Sequence, residues 1–279
     1  MTRVITSPLN KEKIHTHFKS SNKKIKTNIL KTATSTNDVA KKLIFDEADT
    51  IALVATNQQT AGRGRQGKPF YSKLDQGLYF SLAFQPKENK MEDIPLYTIL
   101  VAAALVETLE KYLPIPLAIK WVNDIFYNQR KVIGILSEMI TKSEKQTQKM
   151  RIIIGSGINL AGDFREAEDK VQRVAGTLFG SHIAEEFDQN TFLNEFLEKF
   201  LEYHENFNEK AFMNIYRERL LGLNQKVEYL IEGRKEKGII KGVDEAGHLL
   251  VEKPDQTIEH LYGQEIHFGS EQFISTIKL

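Results

Sequence analysis

Residues 51–67 read Ile51-Ala52-Leu53-Val54-Ala55-Thr56-Asn57-Gln58-Gln59-Thr60-Ala61-Gly62-Arg63-Gly64-Arg65-Gln66-Gly67. Ile51 to Thr56 has the length and apolar continuity of a buried strand. Three glycines then interleave with two arginines. Glycine lets a backbone approach a ligand and turn with positive φ. Guanidinium groups are planar, permanently charged donors for carboxylate or phosphate. Such a loop suits a substrate carrying both. No Gly-Lys-Ser/Thr follows, so it is not a P-loop, and the spacing does not fit a dinucleotide fingerprint. An isolated Arg/Gly tract is equally compatible with a surface loop or a weak RNA-binding segment.

Working outward, Ser35-Thr36-Asn37-Asp38 has the small polar residues of a helix start, with Val39, Ala40, Leu43 and Ile44 at helical spacing. Leu9 to Phe18 reads as a short helix and Lys19 to Lys26 as a solvated turn. On the other side, Leu78, Phe80, Leu82 and Phe84 alternate with smaller or polar residues, the period of a strand. Ile94 to Leu113 reads as a helix with Pro95 near its start, stopped by Pro114 and Pro116. Strands are predicted over 117–121, 125–127, 132–140 and 152–160, with 142–149 a polar connection. A helix starts near Asp188 with Phe192, Leu193, Phe196, Leu197, Phe200 and Leu201 on its apolar face. Another covers Glu209 to Leu221 and ends at Gly222. Beyond it come short strands over 227–231, 238–243, 249–252, 257–261 and 265–268. The expected fold class is α+β: a mixed-sheet domain over residues 1–222, then a small SH3-like barrel over 223–279.

Composition narrows the classes of function. The chain has 279 residues, a formal net charge of +1 and no cysteine. Disulfides, thiolate metal sites and a cysteine nucleophile are excluded. Bulk electrostatics suggests no nucleic acid or membrane surface as partner. No apolar run reaches the roughly 18–20 residues of a membrane span, and Met1 to Leu30 lacks a signal-peptide core. A soluble, cytoplasmic protein is expected.

Two further segments carry chemistry. Lys120-Trp121-Val122-Asn123-Asp124 is followed by Lys131 and Gly134. A lysine in an apolar strand is costly unless paired, so Lys120 and Lys131 are candidates to meet a common anion, with Asp124 anchoring a lysine or orienting an amine. A surface hairpin with an ordinary salt bridge accounts for the same residues. Gly155-Ser156-Gly157-Ile158-Asn159 places glycines inside a strand, where they mark a close approach by a ligand or by another backbone. The seven histidines are scattered and read as structural or surface groups. No metal-ligand set is assigned.

Together, Ser35-Thr36-Asn37, Gln59 to Gly67, Lys120 to Asp124, Lys131 to Glu138 and Gly155 to Asn159 resemble the biotin protein ligases, and in that family's order. The resemblance implies a class II synthetase-like catalytic fold. It implies that MgATP and biotin give biotinyl-5′-adenylate, which then acylates a lysine of a biotin carboxyl carrier protein, an acetyl-CoA carboxylase subunit. It assigns Ser35, Thr36, Asn37, Gln59, Arg63, Gly64, Arg65, Lys131, Gly134 and Gly155 to biotin. Arg63, Arg65, Lys120 and Asn159 are assigned to ATP. Lys131, Asp124, Arg63 and Lys120 are the catalytic set, and Mg²⁺ accompanies the nucleotide. Asp124 is the group to orient or deprotonate the acceptor lysine. The Gly62–Gly67 loop and the 163–176 segment are expected to order over the intermediate.

Val122 stands where the family has proline, and Ile133 where it commonly has glycine, which predicts a bulkier pocket wall. Only 34 residues precede Ser35, too few for a DNA-binding winged helix, so no repressor activity and no DNA partner are expected. A homodimer is left open. The alternatives are a lipoate–protein ligase or, in a different class, an RNA-binding module using Arg63, Arg65 and the Lys19–Lys26 run. The near-neutral charge argues against the latter.

Overall fold

The computed structural model describes residues 7–43, 49–72, 76–88, 90–144, 147–231, 233–263 and 266–273. Among these, seven strands form one sheet: β1 Lys24–Leu30, β2 Thr50–Thr56, β3 Gly77–Phe84, β4 Ala118–Lys120, β5 Asp124–Tyr127, β6 Arg130–Glu144 and β7 Thr147–Asn159. Their order is β1-β2-β3-β7-β6-β5-β4. The β1–β2 pair is parallel and the other pairs are antiparallel, which is the expected mixed sheet.

The unbroken apolar run of β2 has a simple cause: both of its faces are covered. Ile51, Leu53 and Ala55 enter the main core. Ala52 and Val54 pack with Ala40 of helix α1 (Thr36–Leu43) and with Ala83 and Ile153. The main core lies between the sheet and helices α2 (Ile94–Leu109), α4 (Gln189–Glu205) and α5 (Phe212–Glu218), with α2 packed against α4, α5 and β6. This central position explains why α2 is apolar nearly all round. Helix α4 is capped by Asp188, whose carboxylate accepts from the Asn190 and Thr191 N–H groups. It turns its phenylalanines onto β3: Phe80 meets Phe196, and Phe84 meets Phe200, each with ring centres 5.1 Å apart. Truncating either α4 phenylalanine to alanine removes about 3–5 kcal/mol.

The remaining strands are β8 Lys226–Ile231, β9 Arg234–Val243, β10 Leu249–Glu252, β11 Ile258–Leu261 and β12 Ile266–Phe268. They form an antiparallel sheet in the order β11-β10-β9-β8-β12, the expected small SH3-like module. Its interior, including Val227, Ile240, Leu249 and Val251, is continuous with the main core.

Several local expectations change. Leu9 to Phe18 is not a helix but contains a single 3₁₀ turn, Lys11–Lys13. The Lys19–Lys26 run is not wholly a turn: Lys24 opens edge strand β1, whose exposed lysines alternate with buried Ile25 and Thr27. The proposed connection at 142–149 is instead the tip of the β6–β7 hairpin, paired as far as Glu144 and Thr147. Backbone pairing carried these polar residues into a strand where side-chain periodicity gave no sign of one. Glu209 to Leu221 divides into a 3₁₀ turn, Phe207–Glu209, and α5. Ile44 and Glu265 lie outside the described residues.

Candidate active site

The strand register builds the floor of a cleft. Lys120 pairs with Asp124, Asp124 with Gly134, Gly134 with Gly157, and Gly157 with Tyr79. Residues directly opposite one another share a sheet face. In a neighbouring row Leu136 pairs with Gly155 and Gly155 with Ser81. Three glycines thus leave a trough on the face opposite α2, with charged groups at one end. The Phe70 ring lies across it: a Cβ added at Gly134 or Gly157 would come 2.8 or 2.5 Å from that ring.

Helix α1 closes the end remote from Lys120 and Lys131. The Gln59 amide oxygen accepts from the Thr36 N–H at 2.8 Å and from its hydroxyl at 3.2 Å. The Ser81 hydroxyl lies 2.7 Å from Thr36 Oγ1 and donates to Asn37 Oδ1 at 2.6 Å. Asn37 Nδ2 donates to Glu138 Oε2 at 2.8 Å and to the Leu136 carbonyl at 3.3 Å. The Asn37 amide occupies the space that a Cβ on Gly155 would need. Gly155 is glycine because α1 is seated there.

The other end is electropositive. Lys120 and Asp124 are only 7% and 9% exposed. Asp124 Oδ1 lies 2.6 Å from Lys131 Nζ, and Oδ2 lies 3.8 Å from Lys120 Nζ. Lys120 also donates to Ser270 Oγ at 2.9 Å. Burial lowers the Lys120 ammonium to about 8; Asp124 opposes that shift, while Lys131, Arg65 and Lys68 add to it. For Asp124, burial disfavours the charge, but Lys131, Lys120 and Arg65 outweigh it and hold the carboxyl below the ordinary carboxylate range. Arg65 is lowered by burial, against the pull of Asp124. Its guanidinium donates to Asn123 Oδ1 at 3.1 Å and to the Gly263 carbonyl. Arg63 is more open and pairs with Asp38 in the first turn of α1.

These groups surround a cleft of about 640 Å³, a volume that suits a small molecule plus a nucleotide portion. Ser35, Thr36, Asn37, Gln59, Arg63, Gly64, Arg65, Lys120, Asp124, Lys131, Gly134 and Gly155 all line it. Asn159 does not: it is buried where β7 ends opposite Gly77, and its carbonyl accepts from the Leu178 N–H at 3.0 Å. The structure adds lining residues that the sequence reading missed. Phe70 stands in irregular loop with no periodic signal. Ser270 belongs to the C-terminal segment, far away in the chain. The 163–176 segment, read as a loop, contains helix α3 (Asp169–Val174), whose Lys170, Val171 and Val174 face the cleft. It is tied down where the Gly176 N–H donates to the Lys131 carbonyl at 2.9 Å.

Comparison with known proteins reaches the same assignment. Residues 29–159 match the model of the biotin/lipoate A/B protein ligase family, and residues 222–269 match the biotin protein ligase C terminal domain. The chain belongs to the biotin protein ligases. Among them it is 29% identical over 238 residues to the bifunctional ligase/repressor BirA of Bacillus subtilis, covering 84% of this chain and 71% of that one. It is 22% identical over 243 residues to the biotin–[acetyl-CoA-carboxylase] ligase of Mycobacterium tuberculosis, covering 84% and 85%. The biotin protein ligase of Aquifex aeolicus, solved with biotin and ATP, superposes with a TM-score of 0.68 at 26% identity, over 86% of this chain and 97% of that one.

Within this family both departures can now be placed. Val122 follows a cis peptide, and its carbonyl accepts from the Tyr216 hydroxyl at 3.1 Å. Ile133 is fully buried in the main core and points away from the trough. The expected bulkier pocket wall is therefore wrong: alternation along β6 leaves Gly134, not Ile133, on the ligand face. Among the described residues, no helix of this chain is long and apolar enough to cross a membrane.

Proposed function

We propose that the chain activates biotin with ATP and transfers it to a lysine of a biotin carboxyl carrier protein, the acceptor subunit of an acetyl-CoA carboxylase. One observation carries this reading: four separate segments converge to place a glycine-floored trough end to end with a cluster of Lys120, Lys131 and Arg65. Such a cleft suits an acid with a compact body and a carboxylate that must meet a phosphate. Residues 1–222 serve as the catalytic domain and 223–279 as the barrel that supplies the Ser270 side of the cleft.

In the first half-reaction a biotin carboxylate oxygen attacks the α-phosphorus of ATP. The bond to the bridging oxygen breaks and pyrophosphate leaves. Two anions must approach, and fixed cations offset their repulsion without reorganising. Lys131 holds the carboxylate and then the acyl-phosphate oxygens, and Lys120 and Arg65 face the phosphates. Mg²⁺ would accompany ATP as part of the substrate and would supply further neutralisation of phosphate charge; Asp124, already paired with Lys131 and Lys120, does not fit the role of its ligand. Ser35, Thr36 and Gln59 contact the ring system, Asn37 holds α1 in place, and Arg63 and Gly64 cover the product.

In the second half-reaction the acceptor amine attacks the acyl carbon, the carbon–oxygen bond to AMP breaks, and the amine loses a proton. A lysine amine in solution has a pKa of about 10.4. Asp124, held low, is a weak base for that proton. Its geometry suits a positioning role, keeping Lys131 and Lys120 in the cleft.

The test is direct. The protein is incubated with MgATP, biotin and a carrier domain, and the carrier is weighed by mass spectrometry. One biotinyl addition on the carrier lysine is expected, with lipoate in a parallel reaction giving none. Modification by lipoate instead replaces the substrate assignment; no modification by either acid defeats the reading.

A further inference from the structure

Outside the cleft, the fold brings together two histidines that are unrelated in the sequence pattern. Asp244 opens the turn between β9 and β10, His248 closes it, and His260 lies on β11 opposite Leu250. Asp244 Oδ1 is fully engaged, accepting from the Ala246 and His248 N–H groups at 2.9 Å each. That fixes the direction of Oδ2, which lies 3.0 Å from His248 Nδ1 and 2.8 Å from His260 Nδ1. The three candidate ligand atoms all fall within 4.8 Å of one another. In the sequence His248 and His260 read only as structural or surface groups; the fold aims both at one carboxylate oxygen.

We propose that Asp244, His248 and His260 form a site for a divalent transition-metal ion of the zinc type, in the C-terminal module and separate from the biotin cleft. Imidazole nitrogen and a single carboxylate oxygen are the donor set that suits zinc rather than magnesium or calcium. A tetrahedral zinc ion with bonds of about 2.0–2.2 Å holds its ligand atoms roughly 3.3 Å apart. Each imidazole then draws back from Oδ2 by a few tenths of an ångström, and the two ring nitrogens, which start no more than 4.8 Å apart, close to the same spacing. Three protein ligands leave one position for water.

The surroundings make a prepared set rather than a chance meeting of side chains. The backbone donors on Oδ1 orient the carboxylate as outer partners of metal ligands do. The His248 ring lies 4.1 Å, centre to centre, from the Tyr262 ring. An ion here ties edge strand β11 to the β9–β10 turn. That turn bears Gly247, whose carbonyl accepts from the Trp121 indole N–H at 2.9 Å. The segment just beyond β11 bears Gly263, whose carbonyl accepts from Arg65. The ion thus braces the two barrel segments that touch the catalytic sheet and the glycine loop.

The experiment uses the full chain without a polyhistidine tag, stripped with a chelator and exchanged into chelator-free buffer. Zinc chloride is titrated in competition with a chromophoric chelator. One zinc per chain is expected, with micromolar or tighter affinity, weakened roughly tenfold or more by His260→Ala. His17→Ala is the control and leaves the affinity unchanged. Zinc should also raise Tm for the natural chain but not for His260→Ala, since an ion bound only to the folded state stabilises it. His260 is half exposed on an edge strand, and circular dichroism confirms that its variant is folded. His248→Gln gives a second ligand deletion with the same expected loss. The proposal is overturned if the natural chain binds no stoichiometric zinc, if His260→Ala binds it equally well, or if His17→Ala abolishes binding.

Discussion

Asp124 and Lys131 form a 2.6 Å ion pair at the charged end of the glycine trough, with Lys120 on the carboxylate's other oxygen. The pair explains how two lysines can face the same cleft without driving each other out. It also bears on what Asp124 does. A carboxyl held below its ordinary range accepts protons poorly, so Asp124→Asn should slow both half-reactions by misplacing the lysines. A roughly hundredfold fall is expected in biotin-dependent ATP–pyrophosphate exchange as well as in transfer. Unfolding should show a loss of about 3 kcal/mol, because Lys120 keeps its burial and loses its counter-charge. If exchange keeps its natural rate and only transfer falls, Asp124 is the base after all.

Lys120 predicts a pH dependence for the nucleotide. Its free-state value is depressed to about 8. An anion that binds the ammonium favours the protonated form, so affinity is full below that value. It falls as pH rises through it, by up to tenfold per unit, until the titration point of the complex is reached. The apparent affinity for ATP should therefore decline from about pH 8 upward. Lys120→Arg, which stays charged throughout, should flatten the profile. An unchanged slope in the arginine variant would assign the titration to another group.

Gly155 and Asn37 predict a steric effect. The Asn37 amide is pinned by Ser81, Glu138 and the Leu136 carbonyl, so it cannot swing away from a new methyl group. Gly155→Ala should cost about 1–3 kcal/mol through overpacking and weaken biotin binding as α1 is pushed from the sheet. Adding Asn37→Ala should recover part of the stability, a coupling that a double-mutant cycle detects. Additive losses would mean that the two residues do not share this space.

Arg63 separates holding from folding. Its partly exposed pair with Asp38 contributes little to stability, as surface pairs do, about 0–1 kcal/mol. Arg63→Ala should leave Tm nearly unchanged while biotinyl-adenylate dissociates faster, by about tenfold, in a chase experiment. An unchanged dissociation rate would remove Arg63 from the lid.

How much was legible follows from which forces act locally. The strand 51–56, the α4 stripe and the short C-terminal strands declare themselves through apolar periodicity. The glycine-arginine loop declares itself through composition. The β6–β7 hairpin tip and edge strand β1 did not: pairing with each other extends β6 and β7 to Glu144 and Thr147, and β1 buries only Ile25 and Thr27, in alternation with exposed lysines. Ile133 illustrates the limit from the other side: the motif suggested a bulkier pocket, and alternation along β6 turned that side chain into the core.

By itself, the sequence determined the fold class, the order of the motifs and the chemical types at the cleft, since these rest on residue identity and near-neighbour spacing. Only the tertiary structure decided which groups meet. It set Lys120, Asp124, Gly134, Gly157 and Tyr79 in one row, brought Ser270 against Lys120, left Asn159 outside the cleft, and pointed His248 and His260 at one carboxylate oxygen. Register between strands is a property of pairs distant in the chain, set by which faces must be buried, and no single segment encodes it.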